Sequence, residues 1–220
     1  LGCVLWETDT NSEKVIWNNF VYNIKYKRVP EEITKLTGIE EMDLKRWGVE
    51  PANAFRRFCA LADHAEYIVA HNGTNFDRPI MESNFKKTGV SFPDKPWIDT
   101  VVDIPFAEHI KTRKLIHLAA EHGFINPSAH RAYSDVISML KILSQYNIKL
   151  VIERSHEPNV TVTALCAKPW EDPAPAGEKQ TDKAKARGYR FDGSSKTWVK
   201  TCKASEAELE KEHGEFAVKV

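Results

Sequence analysis

Residues 130–135, HRAYSD, place His130 and Asp135 five positions apart in a segment that is typical of a helix start. A second stretch, HNGTNFD at residues 71–77, follows the strand-like run EYIVA and ends at Asp77, where another helix is predicted. The sequence therefore sets two carboxylates and one histidine at the ends of predicted elements. Together these side chains indicate a metal-dependent phosphodiesterase.

The chemistry of phosphodiester cleavage explains why these residue types matter together. The reaction needs an activated water and stabilised charge on the departing oxygen, and two divalent ions about 3.5–4 Å apart can supply both. Mg²⁺ prefers carboxylate oxygens, and a nearby histidine can accept the proton of the water. Taken singly, Asp77 is more typical of a helix cap and His130 of a surface or packing residue. Asp135 lies near a predicted buried face, where a carboxylate needs partners or a metal.

The composition fits a globular protein of one good-sized domain with a small appendage. The chain has 220 residues, 42% of them hydrophobic, and no apolar run of the roughly 18–20 residues that span a bilayer. Its four cysteines are scattered without a CxxC pair, which favours free thiols in a reducing compartment, and we expect a cytoplasmic protein. Because it lacks a long apolar run, we expect no membrane partner. The formal net charge is zero, whereas nucleic-acid binders are often basic, although metal ions can supply positive charge at a local site.

The order of predicted elements favours an α/β fold. Strand-like runs at residues 1–6 and 15–21 come first, and strands at 67–70 and 97–100 then alternate with helices. This order predicts a sheet that is partly antiparallel and partly parallel. The last helix of this part is predicted over residues 129–146. Its predicted inward residues are Ala132, Val136, Ile137, Leu140 and Leu143.

The sequence changes character after residue 150 and predicts a small α+β module. Residues 179–203 carry eight Lys or Arg against two Asp, with Tyr189, Phe191 and Trp198 between them. Basic charge and aromatic rings on a hairpin favour contact with single-stranded nucleic acid, although a small module also needs aromatics for its own core. The predicted segments are a domain over residues 1–150 that lacks its first strand, a strand and linker over 151–178, and a basic hairpin plus helix over 179–220.

The two marked stretches resemble motifs of the DnaQ-like 3′–5′ exonucleases of the DEDDh branch. HNGTNFD is similar to the second motif, HNxxFD, with one extra residue, and HRAYSD matches the third motif, HxxxxD. Arg131 stands where the tyrosine branch of the family has Tyr. LTGI at residues 36–39 and WIDT at 97–100 also resemble family segments, so the resemblance covers residues 1–147. It implies a ribonuclease H-like mixed sheet flanked by helices.

The resemblance also implies roles for individual residues. Asp135 would bind two Mg²⁺ or Mn²⁺ ions directly, Asp77 would hold the metal site, and His130 would be the general base. The substrate-binding residues implied by the resemblance are His71, Asn72 and Phe76. The implied activity is hydrolysis of single-stranded DNA or of duplex DNA 3′ ends, with a polymerase as a further partner.

Two alternatives stay open at this point. One is an RNA-trimming exonuclease similar to oligoribonuclease, because no residue here is predicted to distinguish DNA from RNA. The other is a degenerate exonuclease fold that only binds nucleic acid or a polymerase. The tail GYRFD followed by a tryptophan resembles the ends of some phage and bacterial exonucleases, which favours such an origin.

The first motif of the family, Asp-x-Glu on the first strand, has no counterpart in residues 1–220. Residues 1–7 correspond to the second strand in this resemblance. Glu7-Thr8-Asp9 is interpreted as a hairpin turn, because the end of an antiparallel second strand would lie far from the active site. We expect the natural protein to carry roughly 15–20 further residues before Leu1, ending in the first strand, and we expect activity to need them.

Overall fold

The computed structural model describes residues 1–22, 28–107, 109–213 and 215–220. The chain forms two compact units, the first from Leu1–Val101 with Lys114–Lys149 and the second from Val102–Arg113 with Leu150–Val220. Helices and strands occur in both units, so the predicted α/β class is confirmed. No sequence pattern indicated that residues 102–113 join the second unit. Among the residues with described positions, no helix has the length and apolar character needed to cross a membrane.

The first unit contains an antiparallel and a parallel pair of strands. Its elements are β1 (Gly2–Glu7), β2 (Ser12–Asn18), α1 (Glu31–Thr37), α2 (Glu41–Trp47), α3 (Pro51–Ala62), β3 (Ile68–Ala70), α4 (Asp77–Thr88), β4 (Trp97–Asp99), α5 (Leu115–Glu121) and α6 (Ala132–Leu143). β1 and β2 form an antiparallel hairpin, whereas β3 and β4 run parallel with Ala70 opposite Asp99. The carboxyl ends of β3 and β4 therefore meet at one edge, where their following loops lie side by side.

An aromatic cluster anchors the helices of the first unit. Pro51 begins α3, where its fixed backbone angle suits a first helical turn. The buried residues of this helix are Ala54, Phe55, Phe58, Leu61 and Ala62. Phe85 of α4 is only 1% exposed. Its ring stacks on Phe55 of α3 with 4.4 Å between centroids, and it meets Phe92 edge-on at 5.0 Å. This packing fixes α4, and hence its first residue Asp77, against α3.

Helix α6 begins later than the sequence predicted, at Ala132 instead of residue 129. His130 has a φ of 67°, which is left-handed backbone that cannot continue an α-helix. Ala132, predicted to face inward, is exposed, and the first turn of α6 lies close to Gly2 of β1. An added Cβ at Gly2 would lie 2.8 Å from the backbone nitrogen of Tyr133. The buried residues of α6 are Ser138, Met139, Leu140, Ile142 and Leu143, so Val136 and Ile137 are also less buried than predicted.

The second unit is built on a four-stranded antiparallel sheet with the order β6-β7-β5-β8. The elements from α7 onward are α7 (Ile148–Ser155), β5 (Asn159–Leu165), α8 (Gln180–Ala186), β6 (Arg190–Asp192), β7 (Thr197–Lys203), α9 (Ala204–His213) and β8 (Ala217–Lys219). The sequence predicted the strand, the hairpin and the last helix of this unit, but neither α7 nor β8. This strand has three residues and is held by pairing with β5, a contact that no local pattern announces.

Some of the basic and aromatic residues of the second unit have partners within that unit. Tyr189 is buried in the core, and its hydroxyl donates a hydrogen bond to Glu210. Glu210 also pairs with Arg187 and with Lys200. Tyr189 therefore cannot stack on nucleic-acid bases as the sequence suggested. Phe191, by contrast, is exposed.

A buried ion pair gives a test of this unit. The side chains of Lys203 and Asp103 are 1% and 4% exposed, and the Lys203 ammonium also donates to the carbonyl of Glu157. We expect Asp103→Ala to lower the free energy of unfolding by about 3–5 kcal/mol, because it leaves a buried ammonium unpaired. Urea unfolding followed by tryptophan fluorescence measures this change. The double variant Asp103→Leu with Lys203→Met should recover most of the loss, and equal stability of Asp103→Ala and the parent would contradict the prediction.

Candidate active site

The HNGTNFD stretch forms a tight turn between β3 and α4. The backbone N–H groups of Asn75 and Phe76 donate to the carbonyl of Asn72 at 3.2 and 3.0 Å. Asn72 has a φ of 64°, which asparagine tolerates better than most residues. At Gly73 an added Cβ would lie 2.7 Å from the Cβ of Ala70, so the turn requires glycine there. The extra residue between asparagine and phenylalanine is thus accommodated within a closed turn.

The carboxylate of Asp99, at the end of β4, holds this turn in place. Asp99 is 5% exposed and accepts hydrogen bonds from the backbone N–H groups of Asn72 at 2.9 Å, Thr74 at 3.0 Å and Val101 at 3.1 Å. Asp99 belongs to the WIDT segment, but the sequence pattern predicts no role for this residue. The only available signal was its position at the end of the strand predicted beside the one that precedes the turn.

His71 links the same two strand ends. Its Nδ1 lies 2.9 Å from the hydroxyl of Thr100, and that hydroxyl donates to the carbonyl of Ala70 at 3.4 Å. These contacts join the ends of β3 and β4 through side chains as well as through the strand pairing. His71 also lies close enough to Asp135 for its charge to lower the pKa of that carboxyl. The structure therefore brings the two marked stretches together.

Asp77 is the first residue of α4, and Phe76 precedes it at the N-cap position. Asp77 is therefore not the N-cap residue of α4, although its residue type favours that position. The Asp77 side chain is half-buried. Burial raises its pKa above the usual value, a backbone N–H hydrogen bond lowers it, and the nearby charge of Asp99 raises it further. A carboxylate held in this way is costly for the folded chain unless a cation approaches it.

Asp135 lies in the first turn of α6, between two histidines. Burial raises its pKa, while hydrogen bonds from the His130 backbone N–H and the Asn126 amide lower it, as do the charges of His130 and His71. The amide of Asn126 donates to Oδ1 of Asp135 at 2.9 Å. His130 is exposed, so its ring is accessible to solvent. Asn126 lies outside both motifs, and sequence interpretation missed it.

Two further features border this edge of the unit. Phe76 is 59% exposed, and Asn72 is exposed, with its side-chain oxygen accepting a hydrogen bond from Asn75 at 3.1 Å. An added Cβ at Gly38 would lie 3.2 Å from a guanidinium nitrogen of Arg131. The LTGI segment therefore lies beside the residue that follows His130.

The donor set only partly fits a pair of metal ions. The oxygen ligands of Asp77 and Asp135 suit a hard cation such as Mg²⁺, and the raised pKa values of both carboxyls are the kind of perturbation that a nearby cation reverses. Within residues 1–22, 28–107, 109–213 and 215–220, however, no three His, Cys, Asp or Glu side chains lie close enough together to hold a metal ion.

Comparison with known proteins identifies the family. The family model RNase_T, described as an exonuclease, matches residues 1–143, and the chain belongs to this exonuclease family. This confirms the predicted ribonuclease H-like fold class and the resemblance to DnaQ-like exonucleases. The chain is also similar to two DNA polymerases III of PolC type. The one from Mycoplasma genitalium is 26% identical over 145 residues, which cover 64% of this chain and 10% of that protein.

The second polymerase, from Mycoplasma pneumoniae, is 28% identical over 123 residues, which cover 54% of this chain and 8% of that protein. The matched part of this chain thus spans a tenth or less of the length of either polymerase. The similarity concerns the exonuclease-like part of the chain. It supports a family relationship and leaves the activity of the whole protein to be proposed.

The raised pKa of Asp77 predicts that its charged carboxylate lowers the stability of the folded chain. At neutral pH the folded state holds this carboxylate charged at a cost, so Asp77→Asn should raise the free energy of unfolding when no divalent ion is present. The gain should disappear toward about pH 3.5, where the carboxyl is protonated in both states. Urea unfolding at both pH values measures this. Asp94→Asn, in an exposed loop, should change neither value, and an Asp77→Asn variant less stable than the parent at pH 7 would refute the prediction.

The left-handed backbone at Asn72 predicts a difference between two truncations. Alanine at this φ costs about 1–2 kcal/mol and glycine does not, so Asn72→Ala should be less stable than Asn72→Gly. Both variants lose the asparagine amide, so the difference in stability between them reports on the backbone. Asn11 in the β1–β2 turn, with a φ of 47°, provides a matched pair that should show the same difference. Thermal unfolding measures it, and equal stability of the two Asn72 variants would contradict the prediction.

Proposed function

We propose that this chain is the exonuclease part of a protein that hydrolyses phosphodiester bonds at DNA 3′ ends in the 3′–5′ direction. The observation that carries the proposal is the convergence of the two marked stretches, in which Asp135 lies close to both His71 and His130. Asp77 follows the turn that His71 begins. This edge of the first unit therefore presents two carboxylates with raised pKa values and two histidines.

Each side chain has a proposed task at this edge. Asp135 binds divalent ions directly and Asp77 supports the same site. Bound Mg²⁺ or Mn²⁺ supplies activation of water and stabilises charge on the departing oxygen. His130, exposed beside Asp135, accepts the proton of the attacking water. Phe76, which is exposed, offers a face on which the terminal base stacks, and Asn72 and His71 help to seat the terminal nucleotide.

The proposed substrate is DNA, either single-stranded or at duplex 3′ ends. The support is the similarity to two DNA polymerases, which also suggests a polymerase as a partner of this chain. The four cysteines are free thiols, which favours a cytoplasmic location. RNA is the competing substrate within this class.

A second candidate function is a nucleic-acid-binding domain without hydrolysis. The observation that favours it is the carboxylate count, since the described residues offer Asp77 and Asp135 where two metal ions are usually held by more oxygen ligands. Binding of labelled DNA without any hydrolysis in Mg²⁺ would favour this binding-only alternative, whereas release of nucleotides would favour the exonuclease.

The role of His130 is tested with His130→Asn in the full-length protein. Asparagine tolerates the φ of 67°, so the variant removes the imidazole without adding backbone strain. We expect kcat on 5′-labelled single-stranded DNA in Mg²⁺ to fall about 10²–10⁴-fold while DNA affinity is retained. His64→Ala, at an exposed position away from the two motifs, is the control. Unchanged turnover in His130→Asn would exclude it as the base, and RNA of the same sequence tests substrate choice.

A further inference from the structure

We propose that Asn126 is a positioning residue that orients the carboxylate of Asp135 for a divalent cation. This inference rests on the proposed function. Asn126 lies outside both exonuclease motifs, in the loop between α5 and α6, and it is only 7% exposed. A buried amide has to satisfy both its oxygen and its nitrogen, and in this chain the nitrogen is satisfied by Asp135.

The orientation of the amide is fixed by its neighbours. Its Oδ1 accepts hydrogen bonds from the backbone N–H of Ser128 at 3.0 Å and from the hydroxyl of Ser134 at 2.6 Å. A backbone N–H can only donate, so the amide oxygen must face Ser128 and the amide nitrogen must face Asp135. The nitrogen donates to Oδ1 of Asp135 at 2.9 Å. Asn126 therefore presents a donor to the carboxylate in one defined orientation.

A neutral donor suits a carboxylate that is to bind a cation. The hydrogen bond from the amide nitrogen restricts rotation of the Asp135 carboxylate. Lysine or arginine in the same place would also stabilise the carboxylate, but its positive charge would repel a divalent ion. Hydrogen bonds that orient ligating side chains in this way contribute substantially to metal affinity.

The same amide shapes the loop that carries His130. Its bond to Ser128 closes a turn, and the carbonyl of Ser128 accepts the backbone N–H of Arg131 at 3.3 Å. His130 lies within this loop with left-handed backbone, and its own N–H donates to the carboxylate of Asp135. One buried side chain thus sets the positions of both the proposed base and the proposed metal ligand.

The test compares variants of the full-length protein in Mn²⁺ binding and in kinetics on labelled single-stranded DNA. Asn126→Ala should weaken Mn²⁺ affinity or lower kcat by about 10- to 100-fold with little change in the KM for DNA. The loss should be partly recovered at high Mn²⁺ concentration. Ser134→Ala, which removes one of the two donors to the amide oxygen, should shift the same quantities in the same direction by a smaller factor.

Ser138→Ala is the matched control for stability. Ser138 is buried in the same helix and its hydroxyl donates to the carbonyl of Ser134 at 2.9 Å, so the substitution costs a hydrogen bond away from Asp135. It should lower the unfolding temperature while Mn²⁺ affinity stays at the parent value. A purely structural role for Asn126 predicts that Asn126→Ala behaves as this control does.

The outcomes separate this inference from the function on which it rests. If the parent binds Mn²⁺ and a folded Asn126→Ala variant binds it equally well with unchanged kcat, the inference is overturned and the proposed function stands. If Asn126→Ala does not fold, unchanged Mn²⁺ affinity and kcat in folded Ser134→Ala overturn it instead. A parent that neither binds Mn²⁺ nor degrades DNA overturns both the function and the inference.

Discussion

The buried carboxylate of Asp99 and the parallel pairing that places it hold the candidate site together. Because Ala70 lies opposite Asp99, the turn that leaves β3 must pass beside this carboxylate, which accepts backbone N–H groups from Asn72 and Thr74. This turn also fixes where α4 begins and where Asp77 lies. Loss of the Asp99 carboxylate would remove the acceptor of these N–H groups and with it the hydrogen bonds that hold the turn.

The site combines strain and desolvation with a rigid polar frame. Asn72 and His130 both have left-handed backbone, and Asp77 and Asp135 both have carboxyls whose pKa is raised by burial. Each feature lowers stability, and each persists because surrounding hydrogen bonds determine the backbone more strongly than local preference does. Such features cluster where binding or catalysis uses them, because a cation and a substrate can offset the cost.

Several basic and aromatic residues of the second unit have partners within that unit. Among residues 179–203, Arg187 and Lys200 pair with Glu210, Lys203 pairs with Asp103, and Tyr189 is buried. A small unit has little apolar surface to bury, so such residues contribute to its own stability. Contact with nucleic acid through the other residues of this segment, among them the exposed Phe191, stays a prediction.

The sequence by itself determined the alternation of strands and helices up to residue 147, the turn between β1 and β2 and the two marked stretches, because hydrophobic period, turn residues and motif spacing are local properties. The tertiary structure alone decided that Asp99 holds the turn, that Asn126 holds Asp135, that His130 interrupts the predicted helix and that β8 exists. Asp99 reaches backbone groups 27 and 25 residues away along the chain. Hydrogen bonds over such separations depend on where strands and helices pack, and no local pattern of residue types encodes them.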